Sequence, residues 1–228
     1  MTGTARGTAS GAAPGPILFI NPNSSQAVTD GIAAALAPLA PQRGPAFEAV
    51  CVPHGPSTIA SANEAARAAV DVAELARSRP DCSAFVIACF SDPGLEATRE
   101  AVAQPVFGLQ EAGVLTALAR ADLFGIIALG PRSVARHRLR LRQMGVLERM
   151  VDELPLNNAS AEAVGTSDAI FEETAALGAA LKARGAGALV LGCAGFAPRR
   201  AALEARLGMA VIDPVQAAGA MALGSVIS

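Results

Sequence analysis

The chain has 228 residues, of which 52% are hydrophobic and 17% are charged, and its formal net charge at pH 7 is −2. This composition provides enough apolar material for one large domain or two small ones. The weak negative charge gives no electrostatic basis for binding nucleic acid or an anionic membrane, so we expect neither as a partner.

We expect neither end of the chain to act as a secretory signal or a membrane-spanning segment. Residues 1–15 are rich in Gly, Ala, Thr, Ser and Pro and lack the apolar region of a secretory signal, so we predict a disordered tail. Residues 214–228 are uncharged but too short to cross a bilayer. We therefore expect a cytoplasmic protein whose four cysteines remain reduced thiols.

Eight short apolar segments have the length and composition of β-strands. Several are continuous apolar runs rather than alternating patterns, which is typical of parallel strands that are buried on both faces. The predicted strands are 16–20, 46–52, 84–89, 106–108, 124–129, 149–154, 188–193 and 210–212.

Helical patterns lie between these strands. Because strand and helix alternate along the chain, we predict an α/β protein with parallel sheets. The predicted helices are 24–39, 61–79, 94–103, 109–120, 133–144, 160–184 and 198–207.

The order of elements repeats after about a hundred residues, which indicates a duplication of domains rather than a solenoid. Residues 17–24 resemble residues 125–133, since each is a strand followed by a turn with Pro and a Ser suited to cap a helix. We predict a first lobe of residues 16–108 with 213–228, and a second of residues 109–212. Ligands bind beyond the carboxyl ends of strands in such sheets, so two facing lobes would form a cleft.

Cys89 and Cys193 occupy matching places, each at the end of an apolar strand and before a helical segment. Asp92 and the proline after it predict the start of a helix, whose positive end would lower the pKa of the Cys89 thiol toward neutrality. The backbone N–H groups of Ala194 and Gly195 could hold a developing oxyanion. A single cysteine in such a place is more often a packing residue, whereas the repeated context favours a functional pair.

The sequence offers little support for other chemistry. Zinc needs about four ligands, and the chain has only two histidines, His54 in a predicted loop and His137 on a predicted solvated helix face. Cys51 and Cys82 are interpreted as packing residues. The chain has no C-x-x-C motif and no nucleotide-binding fingerprint. We therefore expect no metal and no cofactor. The chemistry that remains for the two cysteines is proton transfer between their thiols and a small-molecule substrate.

Three motifs resemble the hydantoin and allantoin racemase branch of the aspartate/glutamate racemase superfamily. They are ILFINPNSS at 17–25, ACFSDPGLEATRE at 88–100 and VLGCAGFA at 190–197. The resemblance implies two flavodoxin-like lobes, related by a pseudo-twofold axis, with the active-site cleft between them. It also implies a cofactor-independent racemase in which Cys89 and Cys193 alternate as acid and base at a stereocentre next to a carbonyl.

The resemblance also implies which residues surround the substrate. Relatives that act on aspartate or glutamate have polar residues after each cysteine, whereas the residues that follow here suit a neutral ring, most simply a 5-substituted hydantoin or allantoin. One departure is that Ala128, Leu129 and Gly130 stand where this branch often has threonines, so a hydroxyl is missing. The implied substrate-binding residues are Asn23, Ser24, Phe90, Ser91, Ala194, Gly195 and Phe196.

Two alternative functions stay open at this stage. The first is a cofactor-free isomerase or decarboxylase of a carboxylic acid, of the maleate isomerase or arylmalonate decarboxylase type. Having both cysteines favours racemisation, because decarboxylation needs a single proton donor. The second is a ligand-binding or thiol-sensing protein without catalysis on the same fold. The mean hydropathy of +0.40 favours a homo-oligomer in each case.

Overall fold

The computed structural model describes residues 14–157 and 159–227. Most of the predicted N-terminal tail, residues 1–13, lies outside the described residues. The chain forms two four-stranded sheets with helices packed against them, which confirms the predicted α/β fold. In the described part of the chain, no helix is long and apolar enough to cross a membrane.

All strand pairs in both sheets are parallel. The strand order is β2-β1-β3-β4 in the first sheet and β6-β5-β7-β8 in the second, so the second sheet repeats the topology of the first. The strands are β1 (Ile17–Asn21), β2 (Phe47–Cys51), β3 (Ala84–Ile87), β4 (Val106–Gly108), β5 (Phe124–Ala128), β6 (Met150–Pro155), β7 (Ala188–Gly192) and β8 (Ala210–Ile212).

The helices fill the connections between the parallel strands. Short 3-10 turns cover Ala37–Leu39, Leu147–Arg149 and Ala194–Arg199. The α-helices are α1 (Gln26–Leu36), α2 (Ala62–Arg77), α3 (Leu95–Ala101), α4 (Leu109–Arg120), α5 (Pro131–Gln143), α6 (Ala163–Thr166), α7 (Asp168–Ala183), α8 (Arg200–Leu207) and α9 (Pro214–Ile227).

The two central strands of each sheet are buried along their whole length, which explains their continuous apolar sequences. Edge strand β2 is only half-buried at every position. The largest fully buried side chains include Phe19, Phe85 and Phe124, which lie in β1, β3 and β5 and form part of the core of the two sheets.

Two helices differ from the sequence-based prediction. The predicted helix 160–184 is divided at Ser167, whose hydroxyl caps α7 by accepting the N–H of Ile170. Helix α9 was not predicted, because its Ala- and Gly-rich sequence has no polar face. Its Gly219 packs closely on α1, where a Cβ would lie 2.7 Å from a methyl of Leu36.

Helix α9 packs against α1 and β3 of the first lobe and also against α4. It therefore joins the C-terminal segment to the first sheet and to the helix that links the two lobes. The division into residues 16–108 with 213–228, and residues 109–212, stays a prediction.

Candidate active site

The strand order of each sheet opens a crevice at the carboxyl ends of its two central strands, where successive connections leave in opposite directions. A cavity of about 310 Å³ lies where these two crevices meet. Asn23 and Cys89 line it from the segments after β1 and β3, and Leu129 and Cys193 line it from those after β5 and β7. Both lobes therefore contribute equivalent loops to one cavity.

The two cysteines are held by the backbone of their loops. The N–H of Cys89 donates to Ile87 O at 2.9 Å, and its carbonyl accepts the N–H of Asp92 at 2.9 Å. Cys193 caps the 3-10 turn that begins at Ala194, and its Sγ accepts the N–H of Gly195 at 3.4 Å. Both strands end just before the cysteines, so the thiols sit in turns rather than in strands.

Burial raises the pKa of Cys89 to about 12 and that of Cys193 to about 11. Backbone N–H groups of Ser91 and Gly195 oppose these shifts, and a charge on Cys193 adds to the shift of Cys89. The prediction of a lowered thiol pKa is therefore wrong, because loss of solvation outweighs the neighbouring N–H donors.

Asp92 does not begin the helix after Cys89. It has a φ of +45°, and α3 starts at Leu95. Its carboxylate instead accepts the N–H groups of Gln110 at 2.9 Å and Glu111 at 3.0 Å, so Asp92 caps α4 from a distant loop. Burial raises the pKa of Asp92 to about 7 against these two donors.

The cap of α4 differs from its counterpart in the second lobe. A Cβ on Gly108 would lie 2.3 Å from the Asp92 carboxylate, so the glycine makes room for it. At the matching place in the second lobe, Asp213 caps α9 directly by accepting the N–H of Val215 at 3.0 Å. The Cys89 loop is thus tied to α4 through the carboxylate of Asp92.

Asn23 is fixed in the cavity wall by its neighbours. Its side-chain oxygen accepts from Asn21 Nδ2 and from the backbone N–H of Ser25, both at 2.9 Å. Asn21 Nδ2 also donates to Thr29 Oγ1 at 3.0 Å. Within the described ranges, the side-chain nitrogen Nδ2 of Asn23 donates no hydrogen bond, whereas its backbone N–H donates to Asn21 Oδ1 at 3.3 Å, so Nδ2 is left for a ligand.

Four of the seven predicted substrate-binding residues line the cavity, namely Asn23, Phe90, Ser91 and Ala194. The structure does not bring the other three to it. The N–H and hydroxyl of Ser24 both face Pro56 O, at 3.0 and 3.4 Å, and Ser25 rather than Ser24 caps α1.

Gly195 and Phe196 lie behind the wall. A Cβ on Gly195 would lie 1.8 Å from Ala161 O, so this glycine allows two backbone segments to meet. The side chain of Phe196 is buried in the core. Both residues shape the turn after Cys193 without facing the cavity.

Sequence reasoning did not assign several lining residues to the site, because most of them come from loops and helices outside the three motifs, whereas Ala88 and Gly192 lie inside those motifs. The wall is mostly apolar, with an exposed arginine and a few hydroxyl groups. The additional lining residues are Val28, Thr58, Ile59, Ala60, Ala88, Gly130, Arg132, Ser133, His137, Ala159, Ser160, Ala161 and Gly192.

The interpretation of His137 as part of a solvated helix face is wrong. Its side chain is 2% exposed, and Nδ1 lies 2.5 Å from Oε1 of the fully buried Glu153. Its Nε2 lies 3.2 Å from Ser91 Oγ. A signal was present in the sequence, since Ser133, His137 and Leu141 recur every four residues and mark the inward face of α5.

The described residues contain no group of three or more His, Cys, Asp or Glu side chains that could hold a metal ion. Cys51 and Cys82 lie outside the cavity wall, and Cys82 is buried in the first lobe. The reactive groups that the cavity presents are therefore two thiols, a buried histidine and hydroxyl groups.

Comparison with known proteins agrees with this arrangement. The family model for Asp/Glu/Hydantoin racemase matches residues 17–222. Hydantoin racemase of Paenarthrobacter aurescens is 36% identical over 208 residues, which cover 89% of this chain and 87% of that protein. Hydantoin racemase of Pseudomonas sp. (strain NS671) is 32% identical over 212 residues, 88% of this chain and 82% of that protein.

A solved structure of allantoin racemase from Klebsiella pneumoniae superimposes with a TM-score of 0.84 at 33% identity, covering 95% of this chain and 91% of that one. The duplicated sheets, the shared cavity and these relatives define an isomerase of the racemase class. The chain belongs to the Asp/Glu/hydantoin racemase family. The resemblance seen in the three motifs is thereby confirmed.

Proposed function

We propose that this protein racemises 5-substituted hydantoins and that Cys89 and Cys193 act as alternating acid and base. The observation that carries the proposal is that equivalent strand ends of the two lobes each supply one thiol to the same cavity. The activities named for the most similar relatives support the same reaction class.

The chemistry needs one base and one acid on opposite faces of the substrate carbon. The C5–H of a hydantoin lies between a carbonyl and a ring nitrogen, so its removal gives an enolate. One thiolate takes the C5 proton, and the opposite thiol delivers its own proton to the other face and becomes the thiolate. The reverse reaction uses the thiols in exchanged roles, and no cofactor takes part.

The raised thiol pKa values suit a weakly acidic carbon. A thiolate of Cys89 or Cys193 with a pKa of about 12 or about 11 is a stronger base than an ordinary thiolate. At these pKa values, only a small fraction of either thiol is ionised at neutral pH. We propose that substrate donors and the surrounding N–H groups stabilise the thiolate when the cavity is filled.

The cavity wall favours a neutral ring with an apolar substituent. Ile59, Phe90 and Leu129 provide apolar surface, which suits a 5-alkyl or 5-aryl group better than the polar ureido group of allantoin. The side-chain nitrogen Nδ2 of Asn23 is the hydrogen-bond donor for one of the ring carbonyls. We therefore propose that substituted hydantoins are better substrates than allantoin.

We also propose that the protein acts in the cytoplasm as a homo-oligomer, on the basis of its composition and hydropathy. Analytical ultracentrifugation of the purified protein measures the assembly. A single species at the monomer mass would contradict the oligomer proposal without affecting the racemase proposal.

Chiral chromatography of a small substrate panel tests the function. The panel is one enantiomer each of 5-benzylhydantoin, 5-methylthioethylhydantoin, allantoin and L-aspartate, with the Cys89→Ser/Cys193→Ser double variant as the control for spontaneous racemisation. We expect the two substituted hydantoins to racemise fastest and aspartate not at all. Turnover of aspartate alone, or equal rates for wild type and double variant, would contradict the proposal.

A further inference from the structure

Helix α5 carries five arginines, and the two at its cavity end lack the ion pairs that others on the helix form. Arg138 pairs with an aspartate of β6, and Arg140 pairs with two glutamates, one on α3 and one on α4. Within the described ranges, neither Arg132 nor Arg136 forms an ion pair. The helix therefore brings two charges without a counter-charge to the end at which it meets the cavity.

The positions of these two arginines relate them to the cavity. Arg132 lies in the first turn of α5, where it is exposed and lines the cavity. Arg136 follows one helical turn later, and its Nη1 donates to Arg132 O at 3.1 Å. Nε and Nη2 of Arg136 are buried and have no hydrogen-bond partner among the described residues. Like charges at this spacing repel each other, so an anion between or beside them would be stabilised.

No carboxylate neutralises this pair from the cavity wall. The described residues that line the cavity include no Asp, Glu or Lys. The pKa of Glu64 is lowered, chiefly by a hydrogen bond from Ser61 and to a smaller extent by the charge of Arg136. The Glu64 carboxylate is already held by the hydroxyl and N–H of Ser61, at 2.9 and 2.7 Å. Glu162 accepts the hydroxyl of Ser25 at 2.8 Å. Both glutamates are engaged outside the wall, which leaves the wall positively charged.

We propose that Arg132 binds a carboxylate at the end of the 5-substituent and thereby makes hydantoins with an acidic side chain preferred substrates. This inference deepens the proposed function and rests on it. The apolar surface of Ile59, Phe90 and Leu129 takes the methylene stem, and the carboxylate stays at the exposed edge of the cavity. The planar guanidinium can bind it through two parallel hydrogen bonds. Because the anion keeps part of its hydration there, the cost of burying a charge is avoided.

Steady-state kinetics with a matched pair of substrates measures the preference. 5-(2-Carboxyethyl)hydantoin and 5-(2-carbamoylethyl)hydantoin have nearly the same shape, but only the acid is charged at pH 7. The wild type should have a kcat/KM about tenfold higher for the acid, mainly through a lower KM, because the ion pair is the same in the substrate and the transition state. Raising NaCl from about 0.05 M to about 0.5 M should reduce this ratio about threefold, since salt screens an exposed pair.

Variants of α5 locate the charge that is responsible. Arg132→Gln should bring the acid-to-amide ratio to about one, whereas Arg132→Lys should keep a ratio of about three, because lysine retains the charge without the planar fork. Arg136→Gln should lower the ratio about twofold, since it removes the second charge one turn away. Arg142→Gln is the matched control: Arg142 is exposed on the same helix and does not line the cavity, so the ratio and both KM values should stay unchanged.

A wild-type ratio of one or below, or a ratio that Arg132→Gln leaves unchanged, would overturn the role of Arg132. The wild-type ratio and its salt dependence need no variant, so the proposal stays testable if substitutions in α5 unfold the protein. The neutral substrate 5-methylthioethylhydantoin separates the two proposals. Racemisation of this substrate without a preference for the acid would overturn only the role of Arg132, whereas absence of turnover with every hydantoin would overturn the proposed function.

Discussion

The reactivity of the two cavity thiols follows from their burial. Alkylation requires the thiolate. An ordinary cysteine with a pKa of about 8.5 is about one quarter ionised at pH 8, whereas a pKa of about 12 leaves about one thiol in 10⁴ ionised. A pKa of about 11, as for Cys193, leaves about one in 10³. We therefore expect slow alkylation of both thiols at neutral pH.

The pH dependence of alkylation measures this effect without relying on absolute rates, which the shape of the cavity also influences. The protein is treated with iodoacetamide at a series of pH values, and each cysteine is quantified by peptide mass spectrometry. The rates at Cys89 and Cys193 should rise about tenfold for each pH unit from pH 7 to pH 10, without a plateau. Cys51, outside the cavity, serves as the comparison in the same digest.

A plateau with a midpoint below about pH 8.5 at either cavity thiol would refute this reasoning. It would mean that neighbouring N–H groups outweigh desolvation, as the sequence alone had suggested. The same series with a bound hydantoin should show protection of both thiols, because the ligand would occupy the space between them.

Three further predictions concern the loops that hold the thiols. Asp92→Ala should lower the free energy of unfolding, measured by urea titration, by about 2–4 kcal/mol, because α4 loses its cap and alanine disfavours a positive φ. Asp92→Asn should lower it by about half as much. Equal losses in the two variants would contradict the role of Asp92 as a cap. Burial raises the pKa of Asp92 to about 7 in the folded protein, so the folded state binds this proton more tightly than the unfolded state and loses that contribution to stability as the pH rises through 7. Because asparagine does not titrate, Asp92→Asn should lower the free energy of unfolding more at pH 5 than at pH 8. Gly195→Ala should lower both the melting temperature and the racemase rate, because the added Cβ would clash with Ala161 O. The control Gly31→Ala places its Cβ in open space beside α1 and should leave the melting temperature unchanged or raise it. Equal behaviour of the two variants would contradict the role of the close contact between Gly195 and Ala161.

The sequence was informative where one physical cause dominates. The central strands are buried on both faces and need continuous apolar runs, and all eight strands were predicted with small errors at their ends. The duplication was visible because both lobes repeat the same order of elements. Those two facts also placed Cys89 and Cys193 at equivalent strand ends, which the structure brings into one cavity.

The remaining features depend on contacts between distant residues. Asp92 has the sequence of a local helix cap, but its carboxylate caps α4, which a glycine at position 108 makes possible. His137 stands among arginines, and only the packing of α5 on β6 shows that it is buried against Glu153. Helix α9 lacks a polar face, so no helical periodicity marked it. Local pattern alone predicts none of these contacts, although the four-residue spacing of Ser133, His137 and Leu141 does indicate the inward face of α5.

The central claim is that one cavity thiolate removes the C5 proton of the substrate and the opposite thiol delivers its own proton to the other face of the same carbon. The most direct test is to incubate each enantiomer of 5-benzylhydantoin in D₂O with the Cys89→Ser and Cys193→Ser variants. NMR then follows deuterium at C5, and chiral chromatography follows racemisation. We predict that neither variant racemises the substrate, while each exchanges the C5 proton of one enantiomer only and the two variants prefer opposite enantiomers. Full racemisation by either single variant would contradict the two-thiol account.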